Sequence, residues 1–259
     1  MVAAAAYFTP DGYRAILGRA LALGYRVVAF REFAAPGERP VLLLRHDLDH
    51  ALGPARVTAE AEAALGVRAT YFVQTACEFY NLLSRESRGL IRALADMGHE
   101  IGLHHEADRY AGEGGERRLL ADLRLLEDLS GQKVVSAAQH LPTLSDPVAL
   151  AGFVENDAYD ARFTEPPMHY LSDSLMVWRQ ATPLDRLERR ESFQLLTHPD
   201  TWVSGHGEMR EALLELCEQE IAGVRARYDA VIEAYARLLA EREARDARFR
   251  QRRAREILA

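Results

Sequence analysis

The run Val41-Leu42-Leu43-Leu44-Arg45-His46-Asp47-Leu48-Asp49-His50 constrains the fold more than any other stretch of the chain. Four apolar residues after Pro40 are too few for a helix and read as a fully buried strand. The run then turns abruptly to Arg, His, Asp, Asp and His. A strand whose C-terminal end carries ionisable groups is where an α/β protein keeps its chemistry. Asp47 and Asp49 are two apart, so an extended backbone points both to one side. Two carboxylates converging beside histidines suit a divalent metal and a general base. Taken alone, Asp-Leu-Asp reads equally well as a polar loop after a core strand.

The flanking sequence repeats a helix–strand rhythm. Thr9-Pro10-Asp11 is an N-cap followed by proline, and Tyr13, Ile16, Leu17, Ala20 and Leu21 follow at helical spacing up to Gly24. Tyr25–Phe30 reads as a strand and 34–40 as a loop. A helix from Pro54 to Gly66 comes next, then a strand over Arg68–Gln74, a helix over Arg85–Met97 and a strand over His99–Leu103. A helix over Gly115–Leu129, stopped by Gly131, leads to a strand at Val134-Val135. This alternation predicts a parallel sheet with crossover helices, open or closed into a barrel. From Pro142 to Pro183 the rhythm weakens; a short helix is expected at Asp146-Pro147 and a loop at Glu165-Pro166-Pro167. A last strand, Gln194–Thr197, ends in His198-Pro199-Asp200.

The final segment is different. Leu213, Cys217, Ile221, Val224, Tyr228, Val231, Tyr235 and Leu238 are spaced 4, 4, 3, 4, 3, 4 and 3, a stripe that gives way to an Arg-rich stretch beyond Arg242. Two domains are therefore expected: a barrel over 1–206 and a helical extension over 207–259. The extension either lies on the barrel or pairs with a second chain as a homodimer. A net charge of −7 argues against a nucleic-acid surface, and the Arg-rich end, interspersed with acids, reads as a solvated helix end. Cys77 and Cys217 form no CxxC and are expected as free thiols. Met1–Ala6 lacks the basic and apolar regions of a signal peptide, and no stretch approaches about 18 apolar residues. A cytoplasmic protein without a membrane span is expected.

All nine histidines lie between residues 46 and 206, most of them at strand ends or in the loops that follow. Four stretches then resemble a known family: Leu44–Asp49, Ala69–Val73, Gly98-His99-Glu100-Ile101-Gly102-Leu103-His104-His105-Glu106, and Leu195-Leu196-Thr197-His198-Pro199. In order and spacing the chain resembles a divergent polysaccharide deacetylase of the NodB-homology fold. It is most similar to the WbmS-type branch, whose further likeness extends to Tyr159–Phe163, Tyr170–Ser174 and Trp178-Arg179.

That resemblance implies a distorted (β/α) barrel of about seven strands, followed here by a long C-terminal helix. It implies metal-dependent hydrolysis of an N-acyl group on an amino sugar, in the making of a surface polysaccharide. The sugar would be nucleotide- or lipid-linked. By resemblance Asp47 is the general base and His198 the general acid, while Asp49 and His104 bind the metal, with Zn²⁺ expected. The family's second metal histidine is replaced by Asp108, so His140 and Asp108 compete as third ligand. The family's base-orienting arginine has no counterpart at its usual place, and Arg45 or Arg179 is the candidate. Arg45, Glu106 and Asp173 are expected to contact substrate. The departures leave two rivals: a degenerate deacetylase that only binds a glycan or partner, and hydrolysis of another C–N bond on the same scaffold.

Overall fold

A computed structural model describes residues 8–146, 148 and 150–257. The expectations for Met1–Ala6 and for a helix start at Pro147 fall outside the described residues. Thr9 caps α1 (Pro10–Ala22), its hydroxyl accepting the Gly12 amide proton at 3.0 Å. The chain then builds β1 (Arg26–Val28), β2 (Val41–Leu48), α2 (Ala55–Ala64), β3 (Thr70–Gln74) and α3 (Arg85–Asp96). Next come β4 (Glu100–His105), α4 (Gly115–Ser130), β5 (Ser136–Gln139) and β6 (Asn156–Asp157). After α5 (Ala161–Thr164) follow β7 (Met168–Ser172), α6 (Pro183–Glu188), β8 (Ser192–Thr197), α7 (Pro199–Val203) and α8 (Met209–Ile257).

Every strand pair is parallel, in the order β6-β5-β4-β3-β2-β8-β7, with β1 beside the first half of β2. The last strand thus returns to the side of β2, and the sheet curls on itself. No pairing joins β6 to β7 among the described residues, so the barrel is half open on that side. This is the distorted (β/α) barrel expected from the motifs. No described helix is long and apolar enough to cross a membrane.

Alternation along β2 separates two cores. Val41 and Leu43 pack inside the barrel with Phe72, Ala138, Phe163 and Met168. Leu42, Leu44 and Leu48 pack outside with Ile16 and Leu17 of α1, Ala59 of α2 and Leu94 of α3. The strand does not stop at Leu44: it continues to Leu48 with all eight residues buried, so Arg45, His46 and Asp47 are strand residues rather than loop. Two strands escape the sequence rhythm. β6 has only two residues, and β7 (MHYLS) is only partly buried. β5 begins at Ser136, just past the expected Val134-Val135. By contact clustering the chain divides between Ala212 and Leu213 into two units, the second consisting of the rest of α8.

Candidate metal and catalytic site

The inner-face residues at the C-terminal ends of β2, β4, β5 and β8 converge. On β4 the inner positions are Glu100, Gly102 and His104. Glycine at 102 is required by the barrel interior, where a Cβ would sit 2.6 Å from the Phe72 ring. His104 Nδ1 lies 2.8 Å from the Ala138 carbonyl, which can only accept. The proton is therefore on Nδ1, and Nε2 presents a lone pair to the barrel mouth. There Nε2 stands 3.1 Å from Asp49 Oδ1 and 3.2 Å from His140 Nδ1, and Asp49 Oδ1 is 3.5 Å from His140 Nδ1.

This triangle fits a metal ion. Asp49 Oδ1 is buried and has no hydrogen-bond partner among the described residues. With His104 as the neutral imidazole, two lone-pair atoms stand 3.1 Å apart, a spacing that a cation bound to both would hold. Donors held about 2.0–2.1 Å from one tetrahedral ion lie about 3.3 Å from each other, and the observed separations bracket that value. Asp49, His104 and His140 are the one such group of potential ligands among the described residues. Asp108 stands outside it, exposed at the start of a 3₁₀ turn. Glu106 is exposed in the same loop, near enough for its charge to raise the His140 pKa.

Asp47 lies beside the triangle, its Oδ2 3.5 Å from His104 Nε2. Arg45, two residues earlier on the same face, grips it with two bonds of 2.8 Å, from Nε to Oδ1 and from Nη2 to Oδ2. The same guanidinium donates to Gln194 Oε1 at 3.2 Å and to the Tyr159 hydroxyl at 3.0 Å, and it packs over the Tyr159 ring. Burial alone would raise the Asp47 pKa; the Arg45 guanidinium holds it below the usual carboxylate range.

His198 stands beside the same carboxylate, with Nε2 3.4 Å from Asp49 Oδ2. Its Nδ1 donates to Asp173 Oδ1 at 2.6 Å. Asp173 Oδ2 accepts from the His198 amide at 2.9 Å and from Trp202 Nε1 at 2.7 Å. Burial works against an imidazolium, but the Asp173 carboxylate, backed by Asp49 and Asp47, pushes His198 up to about 10.

Arg45 and Asp173 are thus sealed away from a substrate, contrary to the expectation that they touch one. Arg45 is 0% and Asp173 1% exposed, and their polar atoms are occupied by protein partners. Arg45 instead holds Asp47 through its two bonds, while Arg179 is exposed. Gln194, Tyr159 and Trp202 complete the site as supports. For Trp202 the signal was its position four residues after His198, within one helical turn.

No protein-family model matches the chain, and no curated protein matches it. Among solved structures it is similar to a polysaccharide deacetylase from Bacillus cereus, at 14% identity and a TM-score of 0.48, covering 76% of this chain and 61% of that one. A family 4 carbohydrate esterase from Bacillus anthracis matches at 16% identity and a TM-score of 0.42, covering 82% and 85% respectively. A CE4 family pseudoenzyme from Bacillus anthracis matches at 17% identity and a TM-score of 0.44, covering 70% and 62%. The chain spans 65% of IcaB from Ammonifex degensii and 61% of the Streptococcus pyogenes deacetylase PplD, which it also matches.

Proposed function

We propose that the protein is a metal-dependent hydrolase that removes an N-acyl group from an amino sugar. One observation carries this reading: Asp49 Oδ1, buried and without a hydrogen-bond partner among the described residues, closes a metal-sized triangle with His104 and His140, and a held carboxylate and a held imidazole lie beside it. Two imidazoles, one carboxylate and an open side suit Zn²⁺. A divalent cation bound there supplies Lewis acidity that polarises the acyl carbonyl. Asp47, kept ionised and aimed by Arg45, takes a proton from the attacking water as its oxygen bonds to the acyl carbon. His198, kept protonated by Asp173, gives its proton to the sugar nitrogen as the C–N bond breaks. The free amine and the carboxylic acid leave. The resemblance of the motifs supports a substrate from surface-polysaccharide biosynthesis.

Elemental analysis of the purified protein, wild type beside Asp49→Ala and His104→Ala, comes first. About one Zn²⁺ per wild-type chain, lost in both variants, is the expected result. Acetate release is then measured on free, nucleotide-linked and lipid-linked N-acetylated sugars, with and without a chelator. A wild type that takes up no metal after supplementation overturns the reading and leaves a glycan-binding barrel. Metal without acetate release, but with ring opening to the amino acid in a panel of cyclic amides, moves the chemistry to another C–N bond.

A further inference from the structure

The site makes no use of α8, whose sequence carries information of its own. The helix has 49 residues and is about 73 Å long at 1.5 Å per residue. A unit of about 200 residues is roughly 43 Å across, so the helix is longer than one such unit can cover. Ile221, Val224, Tyr228, Val231, Tyr235 and Leu238 alternate in steps of three and four, and each is 41–68% exposed. In heptad terms the a positions are Leu214, Ile221, Tyr228, Tyr235, Arg242 and Phe249. The d positions are Cys217, Val224, Val231, Leu238, Arg245 and Arg252. The apolar a and d positions run from Leu214 to Leu238, about three and a half heptads, enough for a coiled coil.

We propose that α8 pairs with α8 of a second copy of this chain as an antiparallel coiled coil. The arginines decide the direction. In a parallel pair each layer faces itself, so Arg242, Arg245 and Arg252 would each meet their own counterpart in the seam. Parallel g-to-e contacts fare little better: Glu220 faces Arg225, but Glu241 faces Asp246 and Arg248 faces Arg253. In the antiparallel pair an a residue faces a d residue. Tyr235 then meets Val231, Tyr228 meets Leu238, Arg242 meets Val224, Arg245 meets Ile221 and Phe249 meets Cys217. No arginine meets an arginine, and the arginine stems lie on apolar side chains while their heads reach water.

In that register the g positions face one another as Glu220 with Arg248 and Arg227 with Glu241, opposite in sign, each pair made twice by two-fold symmetry. On the e flank Ile232 meets its own counterpart, and Glu218 faces Asp246 as a like pair that is also made twice. Rim pairs are individually weak. The three cation-on-cation seam layers therefore weigh most against the parallel form.

Cys217 is a built-in reporter of direction. Antiparallel pairing sets the two copies of Cys217 about 48 Å apart, 32 residues of rise; parallel pairing sets them side by side. Light scattering on the full chain is expected to give twice the monomer mass. A spin or fluorescent label on Cys217, in a Cys77→Ser background, is expected to report a separation of roughly 40–50 Å. Val231→Glu is expected to halve the mass while the unfolding midpoint of the barrel holds. A monomeric wild type overturns the proposal. So does a Cys217–Cys217 disulfide or a separation near 10 Å, and so does a Val231→Glu variant that remains a dimer. No arm reads activity, so the outcome is independent of the catalytic reading.

Discussion

β2 carries a buried histidine–carboxylate cluster on each face, and the two are built oppositely. On the outer face Glu62 of α2 accepts from the Tyr13 hydroxyl, from His46 Nε2 at 2.6 Å and from the Tyr71 hydroxyl at 2.8 Å. His46 Nδ1 meets Thr197 Oγ1 at 2.6 Å, and His99 is fixed as the neutral tautomer by the Ala59 carbonyl and the Ala69 amide. There the buried charge is fully bonded to protein partners, and Glu62 is held ionised against its burial by His46. On the inner face the atoms of Asp49, His104 and His140 converge as closely, yet Asp49 Oδ1 has no partner. A saturated cluster is a fastening. A cluster that turns its donor atoms toward one shared centre is a candidate binding site. Composition does not separate the two, because His and acid appear in both; completeness of hydrogen bonding does.

The strongest way to break the comparison is to delete one carboxylate from each face. Asp49→Ala is expected to abolish metal uptake and to lower hydrolysis by at least about a thousandfold, with little change in urea stability of the metal-free chain. Glu62→Ala is expected to do the reverse. It strands His46, Tyr13 and Tyr71 in a dry environment, and loss of one partner from a buried charged pair costs about 3–5 kcal/mol. Urea denaturation reads that loss, and metal content measured on the folded fraction is expected to stay near wild type. Should Glu62→Ala lose its metal while remaining folded, the outer cluster would be part of the site.

Both faces were partly legible before any coordinates. The two-residue spacing of Asp47 and Asp49 placed them on one side of a strand, and the same parity puts Arg45 beside Asp47. Glu62 follows Thr58 and Ala59 at helical spacing, so its place on the buried face of α2 was also within reach. Asp173 was not. Ser172-Asp173-Ser174 has the composition of an ordinary loop, and only the pairing of β7 with β8, Ser172 opposite Leu196, brings it to His198. β6 and β7 were illegible because very short or half-buried strands lack the apolar run that marks a strand in sequence. Third-ligand choice was equally beyond spacing: His140 and Asp108 both follow strand ends, and it is the reach of β5 beside β4 that brings His140 to His104.

A finer test uses the proton on His198. The acid must be protonated, so the rate falls as pH rises through its pKa, and Asp173 is what pushes that value up to about 10. Asp173→Asn removes the raising charge, so the alkaline limb of kcat/KM is expected to move to lower pH, with the acidic limb little changed. An alkaline limb that stays in place would assign Asp173 to holding Trp202 and the His198 backbone, with no part in setting the proton.

The smallest expected effect probes the seam between the two faces. His46 and Thr197 are register partners across β2 and β8, and each immediately precedes a residue of the inner site, Asp47 and His198. Their side-chain bond therefore ties the two strands together directly behind Asp47 and His198. Thr197→Val keeps the shape and removes that one bond, which is worth about 1 kcal/mol in urea denaturation. Metal content is expected to stay at the wild-type value, because none of the three ligands is touched. If the outer bond also fixes the spacing of Asp47 and His198, kcat falls several-fold while KM holds, and serine at 197 restores it. A stability loss with kcat unchanged would leave the outer cluster a fastening only, and the division of labour across β2 would then be complete.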